Sequence, residues 1–329
     1  MADFLSAVDE RTQLAGNNRM ELLTFNLAGP QKYGINVFKV REVMLCPEMS
    51  EVTDVYIKGI VHLRGSTFSV IDLNQIVHQE PLPMENSFLI ISEFTQTRQG
   101  FVVRSVDRIL NLAWDEIHPP PSNINQDSFV TATTYQNNEL VQILDVEKVL
   151  DRIAPQGSAV DDKLIARGQE LTAETIYEIV ICDDSSVARR NLIDAIEQVG
   201  CHAIVFENGL EAYEYLIARE RSHEGLGNLL MLISDIEMPE MDGFTLIARL
   251  RQEPEYTKMP MYMHSSLSGD VNEVKAGEMG ADGFINKFDA NEVAKILNRC
   301  MLNRRDTERQ RQFTLDKEDA IGTSLPQQG

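Results

Sequence analysis

Between Leu22 and about Arg152 apolar residues recur mostly at every second position, which is typical of strands with one buried face. Leu23, Phe25 and Leu27 alternate in this way. The runs GIVHLRG, TFSVIDL, FLIISEF and GFVVRSVDRIL predict further strands, and the turn-forming QNNE joins TATTY to LVQIL as a hairpin. This half is therefore predicted to be all-β and barrel-like. Short helices are expected at Met1–Leu14, just after Asp72, and at Val146–Ile153.

The pattern changes at Tyr177, where apolar runs of five or six residues begin to alternate with amphipathic stretches. Such alternation predicts βα units on a parallel sheet. The predicted strands are YEIVIC, HAIVF, LLMLIS, MPMYMH and DGFINK. The predicted helices are Val187–Val199, Leu210–Glu220, Phe244–Gln252, Val271–Met279 and Asn291–Leu302. Together they make a doubly wound α/β domain with a five-stranded parallel sheet.

Two domains fit a length of 329 residues, because single domains usually hold roughly 100–200. We predict one domain at residues 1–155 and the second at 176–303. The polar segment at 156–175 is expected to be a linker, and the charged segment at 304–329 a fraying tail.

Charge and composition narrow the functional classes. The formal charge of -21 disfavours binding to nucleic acid or to anionic lipid, since both are polyanions. The four cysteines do not have the spacing of a zinc site. The first residues are acidic, whereas a signal peptide begins with basic residues, and no apolar run is long enough to span a membrane. The sequence therefore predicts a cytoplasmic protein without direct membrane insertion.

Acidic residues end the predicted strands of the second domain. Asp183 and Asp184 follow its first strand, Asp235 ends the third, Ser265 the fourth and Lys287 the fifth. Carboxylates that meet at one sheet edge repel each other unless a cation lies among them, and oxygen ligands suit Mg²⁺. We interpret Asp235 as a nucleophile for a phosphoryl group. A single carboxylate could instead cap the following helix, but four strand ends with suitable groups favour a site.

These segments resemble response-regulator receiver domains, through CDDSS, DIEMPEMDGF, HSSLSG and GADGFINKF. The resemblance covers about Tyr177–Leu302. It implies that a phosphoryl group is accepted by Asp235 and contacted by Lys287. It further implies that Ser265 and Phe284 are the switch residues of the receiver. The Mg²⁺ ligands that it implies are Asp183, Asp184, Asp235 and the backbone carbonyl of Glu237.

One position departs from the receiver pattern. Receivers usually follow the lysine with a cis proline, whereas Phe288 stands here, and a non-proline cis bond costs roughly 2.5–4 kcal/mol. We therefore expect a trans bond and a somewhat different lysine position. Glu237 and Leu267 lie where receivers flank the attacking water, and neither activates it, so self-dephosphorylation is expected to be slow.

An enzyme class competes with this interpretation. Haloacid-dehalogenase phosphatases also use an aspartate nucleophile, Mg²⁺ and lysine on a doubly wound sheet, with the motif D-x-D-x-[TV] after the first strand. Here Asp183-Asp184-Ser185-Ser186 follows that strand, without a second aspartate at the required spacing. The receiver interpretation is favoured.

The β domain has no metal-ligand spacing and no nucleophile motif, so a binding module is the expected class. It resembles the CheW family of chemotaxis coupling proteins over about Met20–Arg152, through ELLTFNLAGPQKYGINVFKVREV, YIKGIVHLRGSTFSVIDL, VRSVDRIL and VQILDVEKVL. The resemblance implies two five-stranded SH3-like barrels that join receptors to the histidine kinase CheA. The partner-contact residues that it implies are Arg64, Val37, Val40 and Glu42. On its own, Arg64 would be a solvated arginine in a hairpin turn.

A CheW-like domain followed by a receiver resembles the CheV-type chemotaxis coupling proteins. This implies a phosphoacceptor adaptor rather than an enzyme, associated with membrane receptor arrays through its partners. The expected partners are CheA, the chemoreceptors (methyl-accepting chemotaxis proteins) and CheW. The alternative function is a phosphate sink, in which the receiver drains phosphoryl groups from CheA and the β domain only localises it.

Overall fold

The structure is a computed structural model. It describes residues 19–94, 97–121, 128–153, 159–222, 226–265, 277–287 and 289–322. The predicted helix Met1–Leu14 lies outside these ranges, as do positions 271–276 of the predicted helix Val271–Met279.

Two five-stranded sheets form the N-terminal domain, which confirms the all-β prediction. The first sheet has the order β8-β1-β2-β10-β9 and the second the order β3-β6-β7-β5-β4. The strands are β1 Arg19–Asn26, β2 Lys32–Asn36, β3 Glu42–Leu45, β4 Ile57–Leu63, β5 Ser66–Asp72, β6 Phe88–Phe94, β7 Thr97–Val103, β8 Ser105–Ala113, β9 Val130–Gln136 and β10 Glu139–Leu144. Helices α1 (Leu73–His78) and α2 (Val146–Ile153) and the short 3₁₀ turns Val37–Lys39 and Trp114–Glu116 complete the domain.

Tight turns set the register of two hairpins. Asn137 and Asn138 connect β9 to β10 with φ of 50° and 65°, and Arg64 and Gly65 connect β4 to β5 with φ of 48° and 78°. Two successive residues with positive φ make the turn whose twist matches that of paired strands. The QNNE hairpin is therefore confirmed, and Arg64 occupies the tip of the LRG turn.

Five parallel strands form the C-terminal domain in the order β12-β11-β13-β14-β15, as the βα pattern predicts. Its strands are β11 Glu178–Cys182, β12 His202–Phe206, β13 Leu229–Asp235, β14 Met261–Ser265 and β15 Gly283–Asn286. The described helices are α3 Asp162–Thr172, α4 Ser186–Gln198, α5 Gly209–Arg221, α6 Gly243–Leu250 and α7 Ala290–Gly322, with a 3₁₀ turn at Pro254–Tyr256. The central strand β13 is buried along its whole length because helices cover both faces of the sheet.

Part of the segment predicted as a linker is helical. Helix α3 packs against α7, its Gly168 lies against Val199 at the end of α4, and Leu171 belongs to the core of the receiver-like domain. The Asn298 side-chain amide donates to the Leu164 carbonyl at 3.0 Å. The apolar stripe of α3 is short and lies among charged residues, so the polar composition of the segment predicts a linker and not a packed helix.

Helix α7 continues well into the segment predicted as a fraying tail. It runs to Gly322, and Arg304 and Glu308 form an ion pair of 2.7 Å one turn apart. Between Ala290 and Ile321 the sequence holds no glycine or proline, which leaves nothing to end the helix. Among the described helices, none is both long and apolar enough to cross a membrane.

Candidate functional site

Three carboxylates meet at the C-terminal edge of the parallel sheet. Asp183 and Asp184 follow β11, and Asp235 ends β13; each offers an oxygen that lies within 4.8 Å of the other two. Asp183 is fully buried and Asp235 is only 7% exposed, whereas Asp184 is exposed. The strand-end pattern predicts this meeting, and the fold produces it because neighbouring parallel strands end at one edge.

Lys287 provides the positive charge among these carboxylates. Its Nζ lies 3.0 Å from Asp235 Oδ2 and 3.1 Å from Asp183 Oδ2, and the side chain is buried. Burial favours the neutral amine, but the surrounding carboxylates outweigh it and hold the pKa of Lys287 well above its usual value. Burial also opposes ionisation of Asp183, yet Lys287 and His264 lower its pKa to about 2. Burial raises the pKa of Asp235 well above its usual value despite Lys287.

His264 belongs to the site, although it is not among the residues that the sequence motifs predict. Its Nδ1 lies 3.3 Å from Asp183 Oδ2, and the ring is buried on β14 next to Ser265. Burial lowers the pKa of His264, which favours a neutral imidazole. The signals in the sequence are that this histidine ends the apolar run MPMYMH and begins the segment HSSLSG. The ring holds Asp183 in place, as outer partners of metal-binding carboxylates do.

Backbone geometry positions the end of β13. Asp242 caps α6 by accepting a hydrogen bond from the Thr245 N–H at 2.8 Å, and the Gly243 N–H donates to the Ile236 carbonyl at 2.8 Å. A Cβ atom at Gly243 would lie 2.0 Å from the Asp235 carbonyl oxygen. Only glycine fits here, and this explains the Asp-Gly pair after Asp235.

Of the two predicted switch residues, Ser265 lines the cavity at this cluster and Phe284 does not. Ser265 is 4% exposed and lines the same cavity as Asp235 and Lys287. Phe284 pairs with Met263 on the neighbouring strand and packs against the core without lining the cavity. Phe288 lies outside the described residues.

Residues of the β domain reach the cluster from the opposite side. Glu147, at the start of α2, is 1% exposed and places Oε1 3.8 Å from Lys287 Nζ and 3.2 Å from Lys39 Nζ. Asn36 Nδ2 donates to Glu237 Oε2 at 2.6 Å, and the Ser185 hydroxyl donates to Asp145 Oδ2 at 3.4 Å. No sequence pattern predicts these contacts, because they depend on how two separate domains pack.

The combined cluster is strongly acidic. Two lysines, Lys39 and Lys287, face six carboxylates. The carboxylates are Asp145, Glu147, Asp183, Asp184, Asp235 and Glu237, and all of them except Asp183 line a cavity of about 70 Å³ together with the two lysines. Such an excess of negative charge at close range favours bound cations.

The surface predicted for partners is only partly exposed. Arg64 is 68% exposed at its side chain, and its guanidinium pairs with the Glu42 carboxylate at 2.9 Å. Val37 and Val40 are each 5% exposed and pack in the core of the β domain. That these two valines contact a partner stays a prediction, while their buried side chains pack in the core of the fold.

Comparison with known protein families defines the class of protein. Residues 21–154 match the CheW-like domain, and residues 179–298 match the response regulator receiver domain. Both resemblances are confirmed, and the order of the domains is that of a chemotaxis adaptor fused to a receiver.

Relatives share this organisation over most of their length. Chemotaxis protein CheV3 of Helicobacter pylori is 31% identical over 305 residues, which cover 86% of this chain and 96% of that protein. Chemotaxis protein CheV1 of the same organism is 28% identical over 330 residues, covering 92% and 99%. Chemotaxis protein CheW of Klebsiella aerogenes is 30% identical over 145 residues, covering 42% and 87%. The chain belongs to the CheV family of chemotaxis proteins.

Proposed function

We propose that this protein couples chemoreceptors to the histidine kinase CheA and that phosphorylation of Asp235 regulates the coupling. The observation that carries the proposal is the group Asp183, Asp184 and Asp235, within 4.8 Å of one another, with Lys287 Nζ 3.0 Å from Asp235. A buried lysine beside an aspartate at a strand end is the arrangement that phosphoryl transfer needs, because charge develops on the transferred oxygens.

The residues present fit Mg²⁺. The carboxylates of Asp183, Asp184 and Asp235 and the backbone carbonyl of Glu237 would hold it, and all four are hard oxygen donors. When bound, the ion neutralises charge on the phosphoryl oxygens. His264 keeps Asp183 oriented toward this position.

In the proposed reaction an Asp235 oxygen attacks the phosphorus of CheA phosphohistidine. The new P–O bond forms as the P–N bond breaks, and the electron pair stays on the imidazole nitrogen. Lys287 binds one oxygen of the transferred group, and the Ser265 hydroxyl donates to another. We propose that movement of Ser265 and Phe284 then reports the phosphorylated state, and that the phosphoryl group leaves slowly by hydrolysis.

The test is transfer of labelled phosphate from autophosphorylated CheA, with Mg²⁺, to the wild type and to Asp235→Asn. Label on the wild type and none on Asp235→Asn supports the proposal. Asp162→Asn is the matched control, because Asp162 lies in the first turn of α3, outside the acidic cluster, and this variant should be labelled like the wild type. Equal labelling of Asp235→Asn would refute the assignment of the phosphoacceptor.

A further inference from the structure

The β domain lines the cavity that leads to Asp235. The cavity of about 70 Å³ at the site has room for a few water molecules, and the β domain supplies one wall of it, which includes Asn36, Lys39, Asp145 and Glu147. Behind this wall Lys287 is 2% and Asp235 7% exposed. A phosphohistidine carried by another protein must bring its phosphorus within bonding reach of an Asp235 oxygen, and this wall occupies the path.

Glu147 lies where it would compete with a phosphoryl group. Its carboxylate lies between the ammonium groups of Lys39 and Lys287, at 3.2 and 3.8 Å. Lys287 is also the cation nearest to the Asp235 carboxylate. A phosphoryl group on Asp235 would therefore contend with Glu147 for the same ammonium group.

Charge adds to this competition. Phosphorylation replaces the single charge of the Asp235 carboxylate by about -1.5 to -2 charges on the acyl phosphate, facing Glu147 and Asp145 across the cavity. A bound divalent cation would offset part of this charge, but the added atoms still occupy the space next to Lys287. Lys39 is engaged by Glu147 at 3.2 Å and by Asp145 at 3.9 Å, so its charge is already balanced inside the β domain.

The contact that holds the wall in place extends beyond the cavity. Helix α2 packs against α4, and Arg190 on α4 pairs with Asp151 on α2 at 2.8 Å. This ion pair lies outside the cavity lining, with the Arg190 side chain 57% exposed. It therefore offers a way to weaken the contact without altering the phosphoryl site.

We infer that docking of the β domain on the receiver through Glu147 and phosphorylation of Asp235 exclude each other. The docked form resists a protein-borne phosphoryl donor, the separated form accepts the phosphoryl group, and the phosphoryl group then keeps the domains apart. This inference rests on the proposed function and specifies the effect of phosphorylation, which is to release the α2 face of the β domain from the receiver.

The test uses the full chain and charge reversal at the Arg190–Asp151 pair. Arg190→Asp places two carboxylates opposite each other, and the initial rate of labelling by autophosphorylated CheA should rise about three- to fivefold. The double variant Arg190→Asp with Asp151→Arg restores opposite charges and should return to the wild-type rate. Arg167→Asp makes the same charge change on α3, where Arg167 pairs with Glu170, and should also label at the wild-type rate.

Small-angle scattering provides an independent measurement. The radius of gyration of the wild type should increase when Mg²⁺ and beryllofluoride, an analogue of the phosphoryl group, are added. Asp235→Asn should show no increase. Arg190→Asp should be expanded without beryllofluoride.

The outcomes separate the inference from the proposed function. Equal labelling rates for the wild type, Arg190→Asp and the double variant, with unchanged radii, would overturn mutual exclusion while leaving Asp235 as the phosphoacceptor. Label on Arg190→Asp with little on the wild type supports it strongly. If no variant is labelled, the proposed phosphotransfer fails, and equal radii for the wild type and Arg190→Asp would then overturn the docking contact as well.

Discussion

Asn36 and Glu237, 201 positions apart in the sequence, form a direct hydrogen bond of 2.6 Å between the two domains. The Asn36 amide donates to Glu237 Oε2, while its carbonyl oxygen accepts from the Phe38 N–H at 3.0 Å and caps a 3₁₀ turn. Glu237 is two residues beyond Asp235, so this bond joins the β domain to the loop that borders the acidic cluster.

Replacing Asn36 by aspartate should separate the domains. Burial raises the pKa of Glu237 well above its usual value, so the measurement is made at a pH above that raised value, where Glu237 is ionised. There the introduced carboxylate can still accept from the Phe38 N–H, but it cannot donate to Glu237 and repels it instead. A hydrogen bond to a charged group contributes about 1.5–3 kcal/mol, so docking should weaken by about that amount. Small-angle scattering should show a larger radius of gyration, with the circular dichroism spectrum unchanged.

The reciprocal change provides the control. In the double variant Asn36→Asp with Glu237→Gln, the glutamine amide can donate to the introduced carboxylate, so the hydrogen bond returns with its direction reversed. The radius of gyration should return to that of the wild type. A compact Asn36→Asp single variant would show that this bond does not hold the domains together.

Gly243→Ala should disturb the end of β13. The new Cβ would lie 2.0 Å from the Asp235 carbonyl oxygen, a distance that forces the backbone to move. Overpacking of this kind costs about 1–3 kcal/mol, and because Asp235 moves with its carbonyl, Mg²⁺ affinity should fall as well. Thermal unfolding and calorimetric titration with Mg²⁺ measure the two effects.

Gly277→Ala is the matched control for that variant. A Cβ at Gly277 would meet no atom within 4 Å among the described residues. Its melting temperature and Mg²⁺ affinity should equal those of the wild type. An unaltered Gly243→Ala protein would mean that the loop adapts without moving Asp235.

Gly168→Ala should loosen α3 from the receiver. A Cβ at Gly168 would lie 2.2 Å from Val199 Cγ1 and 2.6 Å from the Val199 carbonyl oxygen. The helix propensity of alanine exceeds that of glycine by about 1 kcal/mol, so a drop in stability would have to come from lost packing. Hydrogen exchange of the α3 amides should speed up, whereas Gln169→Ala, at an exposed position of the same helix, should leave it unchanged.

The sequence predicts most of the receiver because each strand end carries chemistry that its fold brings to one edge. Asp183, Asp235 and Lys287 can be selected in this way from the residue pattern alone. Glu147 cannot, because its neighbours in sequence form an ordinary amphipathic helix and its role depends on a contact between domains. Helix α3 is not predicted for a related reason. Its few apolar residues pack against residues of α7 and the end of α4, which are distant in the sequence.

His264→Leu should weaken Mg²⁺ binding while the sheet stays folded. The imidazole contacts Asp183 at 3.3 Å inside the core, and leucine fills similar space without a hydrogen-bonding group. Loss of an outer partner of a metal ligand costs about tenfold to a hundredfold in affinity. Calorimetric titration of Mg²⁺ measures this change. His202→Leu, on an exposed position of β12, should bind Mg²⁺ like the wild type, and equal affinities for both variants would remove His264 from the site.

Arg64→Asn separates a coupling protein from a phosphate sink. Arg64 occupies the tip of the β4–β5 turn at φ 48°, a conformation that asparagine tolerates well, so the hairpin should keep its shape. If the exposed guanidinium contacts a receptor or CheA, its loss should weaken that binding about thirtyfold, the size expected for an interface arginine worth about 2 kcal/mol. Receptor control of CheA activity in receptor-containing membranes should then be lost.

Phosphate uptake distinguishes the two functions in the same variant. Arg64 lies outside the phosphoryl site, so Arg64→Asn should accept label from CheA in solution at the wild-type rate. Arg108→Asn, which alters an exposed arginine on β8, is the control and should retain receptor coupling. A variant that still takes up label but no longer couples supports the adaptor. If Arg64→Asn couples normally, the contact surface lies elsewhere, and a sink whose β domain serves only for localisation becomes the better account.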